Sequence, residues 1–154
     1  MGRLRDKLTG TAYPRSGVAP APAAEVRAAL LAVNGPSKRF VVRDGTPKEG
    51  ADLVAECEFP ALDVVLKTRM RLDPLANEVR VLEERWGPTP EGSGRQYGRG
   101  PADRVYRQWE FKQGADGRRH KVEAFRFDTR DMRNPLQKVV LGRGWTWRGA
   151  LFKL

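Results

Sequence analysis

The architecture is specified most clearly by residues 125–149, which read FRFDTRDMRNPLQKVVLGRGWTWRG. Asn134 is a good N-cap because its side chain accepts hydrogen bonds from the first turn, and Pro135 suits the first helical position. The pattern therefore predicts a helix that ends at Gly142 or Gly144. The residues predicted to face the core are Leu136, Val139 and Val140.

A final strand is predicted after this helix, because alternate side chains point to opposite sides of a strand. Trp145 and Trp147 share one side with Gly149 and Leu151. We expect both tryptophans to be buried. The helix and the strand then form the scaffold of the fold rather than a ligand site.

Similar patterns predict the other elements. Apolar spacing and Pro22 indicate a helix over residues 23–34, and alternation indicates a half-buried strand over residues 53–59. Residues 66–86 and residues 104–127 each predict a β-hairpin, because two alternating runs flank a turn. The sequence thus predicts an antiparallel α+β fold of about six strands and two helices, in which a barrel-like curl of the sheet is one arrangement.

Two segments are predicted to lack regular structure. Residues 1–22 mix basic, small and proline residues, and they offer too little apolar surface to offset the entropy lost on ordering. We expect a flexible arm there, followed by a single domain over residues 23–154. Residues 87–101 hold five glycines and three prolines, which predicts a long mobile loop.

The charge is strongly basic and unevenly distributed. Residues 1–24 carry four Lys/Arg and one acid (+3), residues 25–85 carry ten and eleven (−1), and residues 86–154 carry fifteen and seven (+8), which sum to the net charge of +10. A basic surface raises the local concentration of polyanions. The partner indicated is anionic, either an acidic protein surface or a nucleic acid, although a charge that serves only solubility stays open.

Candidate binding residues are the cations of the two hairpins and of the glycine-rich segment between them. Aromatic side chains among such cations are typical of sites for single-stranded nucleic acid. Against this, tryptophans in a small sheet protein are more often core, and no RNA-binding fingerprint occurs. The predicted anion-binding residues are Lys67, Arg69, Arg71, Arg95, Arg99, Arg104, Arg107, Arg118, Arg119 and Lys121, and the predicted stacking residues are Trp86, Tyr97, Tyr106 and Trp109.

The cysteine and histidine content argues against a disulfide and a metal site. Cys57 is the only cysteine, and its place on the inward side of a strand predicts an inert buried thiol. His120 is the only histidine, whereas zinc sites need several such ligands. We predict no metal and no cofactor. Without a signal peptide or a membrane-spanning run, we also predict a reducing, cytoplasmic setting.

No catalytic constellation stands out. Glu56 and Glu58 are expected to face solvent or match arginines, while Asp128 and Asp131 are expected to cap a turn or a helix start. The serine-nucleophile and P-loop motifs are lacking. The sequence predicts a non-enzymatic binding or interaction protein whose basic sheet face meets an anionic partner. Two alternatives stay open, a nucleic-acid-binding protein and an enzyme with a small-molecule pocket.

Several blocks carry a wider similarity: NGP at 34–36, FVVRDG at 40–45, GADLVAE at 50–56, MRLDP at 70–74, EVR at 78–80, PLQ at 135–137 and GWTW at 144–147. Together they resemble a family of small uncharacterised actinobacterial proteins, over roughly residues 34–154. The resemblance implies a single domain in a bacterial cytoplasm and carries no activity. This chain departs from the family pattern at residues 59–64, where it is shorter, and at residues 87–101.

Overall fold

The computed structural model describes residues 2–154 and confirms an α+β fold. Over these residues the chain forms three helices and eight strands. The helices are α1 (Gly2–Thr9), α2 (Ala23–Leu31) and α3 (Arg130–Gly142), with a short 3-10 turn at Pro60–Leu62. The strands are β1 (Val41–Asp44), β2 (Leu53–Phe59), β3 (Val64–Asp73), β4 (Glu78–Pro88), β5 (Arg95–Arg99), β6 (Val105–Gln113), β7 (Arg119–Asp128) and β8 (Thr146–Gly149).

Six of these strands form one mostly antiparallel sheet. Strands β1 to β5 follow one another in chain order, and β8 lies parallel to β4. Because β4 has 11 residues, β5 pairs with its second half while β8 pairs with its first half. Within residues 2–154 the sheet does not close on itself, so the barrel-like arrangement is not confirmed. Strands β6 and β7 form a separate two-stranded ribbon.

The core lies between one face of this sheet and helices α2 and α3. Leu53 and Met70 are fully buried on the sheet side, and Leu136 is fully buried on α3. The expected burial of the two tryptophans is confirmed, since Trp145 is 1% and Trp147 2% exposed. The buried indole N–H of Trp145 has a hydrogen-bond partner, because it donates to the Ala21 carbonyl at 2.8 Å.

Helix α3 begins earlier than its sequence pattern predicts. It starts at Arg130, so that Pro135 lies inside the helix rather than at its first position. The Asp128 carboxylate accepts the Arg130 N–H (2.9 Å), and the Asp131 carboxylate accepts the Asp128 N–H (3.0 Å). The first bond satisfies the N–H of the first helical residue, and the second ties the first turn of α3 to the end of β7, so both aspartates take part in a helix start as predicted. The early start also buries Met132, one turn before the predicted core face.

The N-terminal segment differs from the flexible arm predicted for residues 1–22, of which Met1 lies outside the described residues. Residues 2–9 form α1, and Ala12 makes an antiparallel bridge with Trp147 through two N–H···O bonds of 2.9 Å. The Thr11 hydroxyl accepts the Gly149 N–H at 3.0 Å. The hydrogen bonds to the edge of β8 offset the conformational entropy that the N-terminal segment loses when it becomes ordered. Composition alone does not reveal such partners.

Replacing Gly149 with alanine is expected to lower the free energy of unfolding by about 1–3 kcal/mol, because the added Cβ would overlap the Thr9 carbonyl. Overlap there pushes the N-terminal segment off β8. Chemical denaturation and limited proteolysis measure both effects. The matched control is Gly142→Ala at the end of α3, where an added Cβ meets nothing within 4 Å. Equal stability of the two variants would contradict the docking.

The glycine-rich segment at residues 87–101 also differs from the predicted mobile loop. Its first residues extend β4 to Pro88, and β5 returns antiparallel along the same strand. Trp86 lies opposite Tyr97, with ring centroids 5.1 Å apart. Two glycines of this segment have a clear structural reason. Gly92 adopts a positive φ in the turn between β4 and β5, and Gly98 lets β5 approach the Arg85 guanidinium closely.

Candidate functional site

The sheet face opposite the helices, here the outer sheet face, carries the cations predicted on the first hairpin. Two of them are compensated by carboxylates. Lys67 Nζ lies 3.3 Å from Glu49 Oε2, and Arg69 Nε lies 2.6 Å from Glu84 Oε1. Arg71 is exposed, and within residues 2–154 it makes no ion pair. Around Lys67 and Arg69 the outer sheet face is therefore a charge-paired network rather than the free basic face that the sequence predicts, and in the described part of the chain Arg71 alone of the three stays unpaired.

Glu49 is the centre of that network. Its carboxylate accepts two hydrogen bonds from Arg43, at 2.9 and 2.8 Å, and its side chain is only 14% exposed. Arg43 also donates to Glu56 at 3.0 Å, which confirms that Glu56 matches an arginine. The Arg43 guanidinium holds the pKa of the Glu49 carboxyl well below its usual range.

Glu49→Gln is expected to destabilise the fold by about 1–3 kcal/mol at neutral pH, because hydrogen bonds to a charged group are lost. A lowered folded-state pKa gives stability that is present above the unfolded pKa of about 4.5 and is lost as the pH falls. The difference from wild type should therefore shrink below about pH 4.5. Urea denaturation at neutral and acidic pH measures it. Glu58→Gln, on the exposed side of the same sheet, is the control, and a pH-independent difference for Glu49→Gln would contradict the account.

The predicted residues of β5 are also engaged. Tyr97 donates a short hydrogen bond to Glu84, and burial together with this carboxylate raises the pKa of Tyr97 to about 12. Arg99 donates to the Phe152 carbonyl at 2.7 Å, and Arg95 lies 3.5 Å from Asp63. Tyr97 and Arg99 are thus held by contacts on the outer sheet face, although Tyr97 is 44% exposed.

The β6–β7 ribbon has a different surface. In its register Arg107 lies opposite Arg126, Trp109 opposite Glu123 and Phe111 opposite Lys121, with an irregularity between Gln108 and Trp109. Residues directly opposite each other share a face of an antiparallel pair. We call this face the ribbon outer face. Its members are Val105, Arg107, Trp109, Phe111, Gln113, Arg119, Lys121, Glu123, Arg126 and Asp128.

The opposite face of the ribbon anchors it to the core. The ring of Phe59 lies 6.0 Å from Tyr106, 4.8 Å from Phe125 and 5.1 Å from Phe127, centroid to centroid. Tyr106 therefore packs against Phe59, and the structure does not place it beside Trp109 as a second stacking ring of that face. The physical reason is strand parity, since Tyr106 points away from the face that holds Trp109.

Most cations of the ribbon outer face lack a carboxylate partner. Arg107 lies 3.9 Å from Glu123 and Asp128 is paired with Arg130, and within residues 2–154 no other ion pair involves this face. The other cations of the face, together with Arg104 before β6 and Arg118 in the turn, are exposed. Of these exposed cations, five make no ion pair within residues 2–154: Arg104, Arg118, Arg119, Lys121 and Arg126.

Aromatic rings lie among these cations and face solvent. Trp109 is 44% and Phe111 64% exposed. Lys121 Nζ lies 4.9 Å from the Trp109 ring centroid, and the Arg119 guanidinium lies 5.8 Å from that of Phe111. The alternation of Trp109 with Phe111 is visible in the sequence, but it is typical of a buried face, so Phe111 was not predicted as a site residue.

A cleft of about 340 Å³ opens where the base of the ribbon meets β4 and β5. Three arginines line it: Arg85, Arg104 and Arg107. Trp86 and Gln96 also line it. Among the described residues no carboxylate side chain lines this cleft. The sequence missed Arg85, because its strand parity predicts an inward, structural position.

The thiol and the imidazole are placed as structural groups. Cys57 is 2% exposed, and burial raises its pKa to about 11, as an inert core thiol requires. His120 Nε2 lies 2.9 Å from Asp116 Oδ1 at the ribbon turn. In the part of the chain that the structure describes, no cluster of three His, Cys, Asp or Glu side chains is arranged to hold a metal ion.

Comparison with protein-family models, with curated proteins and with solved structures found no match to this chain. The resemblance to actinobacterial proteins therefore stays a prediction. Of the helices at residues 2–154, none combines the length and the apolar character needed to cross a membrane.

Proposed function

We propose that this protein is a non-enzymatic binding protein that holds an anionic partner on the ribbon outer face. The observation that carries the proposal is the position of Arg107 directly opposite Arg126. Like charges in this relation destabilise a strand pair. Glu123 lies 3.9 Å from Arg107, and Asp128, two residues from Arg126 on β7, is already paired with Arg130. An anionic partner would neutralise both arginines. Binding would then relieve the electrostatic repulsion between Arg107 and Arg126 that is present in the free protein.

The contrast between the two surfaces supports the ribbon as the binding site. On the outer sheet face, Lys67 and Arg69 are held by Glu49 and Glu84, so a polyanion would have to compete with existing ion pairs. On the ribbon outer face the cations are exposed, and within residues 2–154 Arg119, Lys121 and Arg126 make no ion pair. We therefore place the predicted basic surface on the second hairpin and not on the sheet.

The carboxylates considered for acid–base chemistry support a non-enzymatic role. Glu56 is paired with Arg43, and Asp128 is paired with Arg130 at 2.7 Å. The Arg130 guanidinium lowers the pKa of Asp128 to about 2, which leaves a poor proton acceptor at neutral pH. A reducing compartment such as the bacterial cytoplasm fits the single buried thiol of Cys57.

Elution from immobilised heparin tests the proposal, because heparin is a polyanion without bases. We expect wild type to elute at clearly higher salt than Arg107→Gln/Arg126→Gln. The control Lys7→Gln/Lys48→Gln removes the same charge from exposed lysines of α1 and of the turn before β2. Weak retention of wild type, or an equal loss in both double variants, would contradict a specific ribbon surface.

A further inference from the structure

Resting on the proposed function, we propose that the anionic partner is a single-stranded nucleic acid. Its bases would stack on Trp109 and Phe111, and its phosphates would meet the cations beside these rings. Two residues apart on one strand, the rings are spaced by about 7 Å along the ribbon. Each has a cation within 5.8 Å of its centroid, namely Lys121 and Arg119. A stacking surface beside a positive charge complements the base and the phosphate of a nucleotide.

Exposure of the rings distinguishes this partner from the other polyanions. Phosphates or carboxylates alone would satisfy the cations and leave Trp109 and Phe111 in water. In a duplex the faces of the bases are covered by their neighbours, whereas in a single strand they are open to aromatic side chains. A ribbon that read a duplex groove would need hydrogen-bonding side chains toward the base edges. The exposed centre of this ribbon face presents rings instead.

The cleft at the base of the ribbon extends the same surface. Arg107 belongs both to the ribbon outer face and to the cleft wall, where Arg85 and Arg104 also lie. A strand that stacks on Trp109 can therefore continue toward a pocket lined by three arginines. The volume of about 340 Å³ falls in the range of sites that hold one small organic group, such as a nucleotide unit.

Fluorescence anisotropy at about 50 mM salt tests the inference with three labelled probes. The first is an oligothymidylate of about twelve nucleotides, within the usual site sizes. The second is an abasic strand with the same number of phosphates, and the third is a duplex of the same length. We expect the oligothymidylate to bind more tightly than the other two.

Phe111→Ala should weaken oligothymidylate binding about 5- to 150-fold, the effect of one lost stack, and leave abasic binding unchanged. Phe152→Ala is the matched control, because Phe152 is an exposed phenylalanine with the Arg99 guanidinium 5.8 Å from its ring. Circular dichroism checks that both variants fold.

The outcomes separate the two proposals. Equal affinity for the oligothymidylate and the abasic strand, or tighter binding of the duplex, would overturn the single-strand inference and leave a polyanion-binding ribbon in place. Equal effects of Phe111→Ala and Phe152→Ala would also overturn it. Failure of all three probes to bind, together with weak heparin retention, would remove the proposed function itself.

Discussion

Arg133→Met is expected to lower the free energy of unfolding by about 3–5 kcal/mol at neutral pH, because it leaves a buried carboxylate without its partner. Arg133 Nε lies 2.7 Å from Glu83 Oε1, and the two side chains are only 14% and 18% exposed. A second bond joins Arg133 to Asp103 at 2.6 Å. This cluster ties α3 to β4 and to the segment before β6, so its loss weakens the junction that positions the ribbon.

The pH dependence identifies the mechanism. Burial raises the pKa of Glu83 even though Arg133 is present, and removing Arg133 should raise it further. A raised folded-state pKa of an acid costs stability above the unfolded pKa, about 4.5, and this cost disappears as the pH falls below that value. The effect of Arg133→Met should therefore be smaller at about pH 4 than at pH 7.

The matched control is the double variant Glu83→Met/Arg133→Met. Replacing both members of a buried ion pair with apolar groups is often close to neutral. We expect chemical denaturation to show the double variant well above Arg133→Met in stability. A single variant that costs less than about 1 kcal/mol, or a double variant no better than the single, would show that the pair is not buried as described.

The second large effect concerns binding. Removing four cations of the ribbon, with Arg107→Gln, Arg119→Gln, Lys121→Gln and Arg126→Gln combined, should weaken oligothymidylate affinity about 10²- to 10³-fold near 0.1 M salt. The slope of log K against log salt should become shallower by about 3, because each phosphate contact of a single strand contributes about 0.7. Anisotropy titrations over a series of salt concentrations measure both quantities.

A control for this variant uses cations of similar exposure elsewhere. Lys7, Arg15, Lys48 and Lys153 are exposed and lie outside the ribbon. Substituting all four with glutamine removes the same formal charge. Equal loss of affinity and slope in the two quadruple variants would mean that net charge, and not the ribbon surface, determines binding.

Patterns of neighbouring residues predicted which side chains of the strands face the core. Strand alternation placed Cys57 in the core and Trp145 with Trp147 under the helices, and these positions are confirmed. The start of α3 was missed because Asn134–Pro135 is a strong local signal. The reciprocal bonds of Asp128 and Asp131 accompany a helix start at Arg130, five residues before Pro135, and the added turn buries Met132.

Long-range pairing explains the remaining differences. The segment at residues 87–101 contains glycine and proline but gains order from β4, and Ala12 gains order from Trp147. The same limit applies to the site. Parity showed that Lys67 and Arg69 share a face. It could not show that Glu49, from a turn distant in sequence, pairs with Lys67, or that Glu84 pairs with Arg69. Predicting that Trp109 is exposed would have required knowing that, within residues 2–154, no other element packs on the ribbon outer face.

The most direct test of the central account is a nuclear magnetic resonance titration of ¹⁵N-labelled protein with a heparin-derived oligosaccharide, following every backbone amide. We predict that the largest shift changes fall on residues 104–126, including the ribbon outer face, and that residues 65–71 of β3 change little. Changes concentrated on residues 65–71, with the ribbon unaffected, would contradict the account and return the binding surface to the sheet.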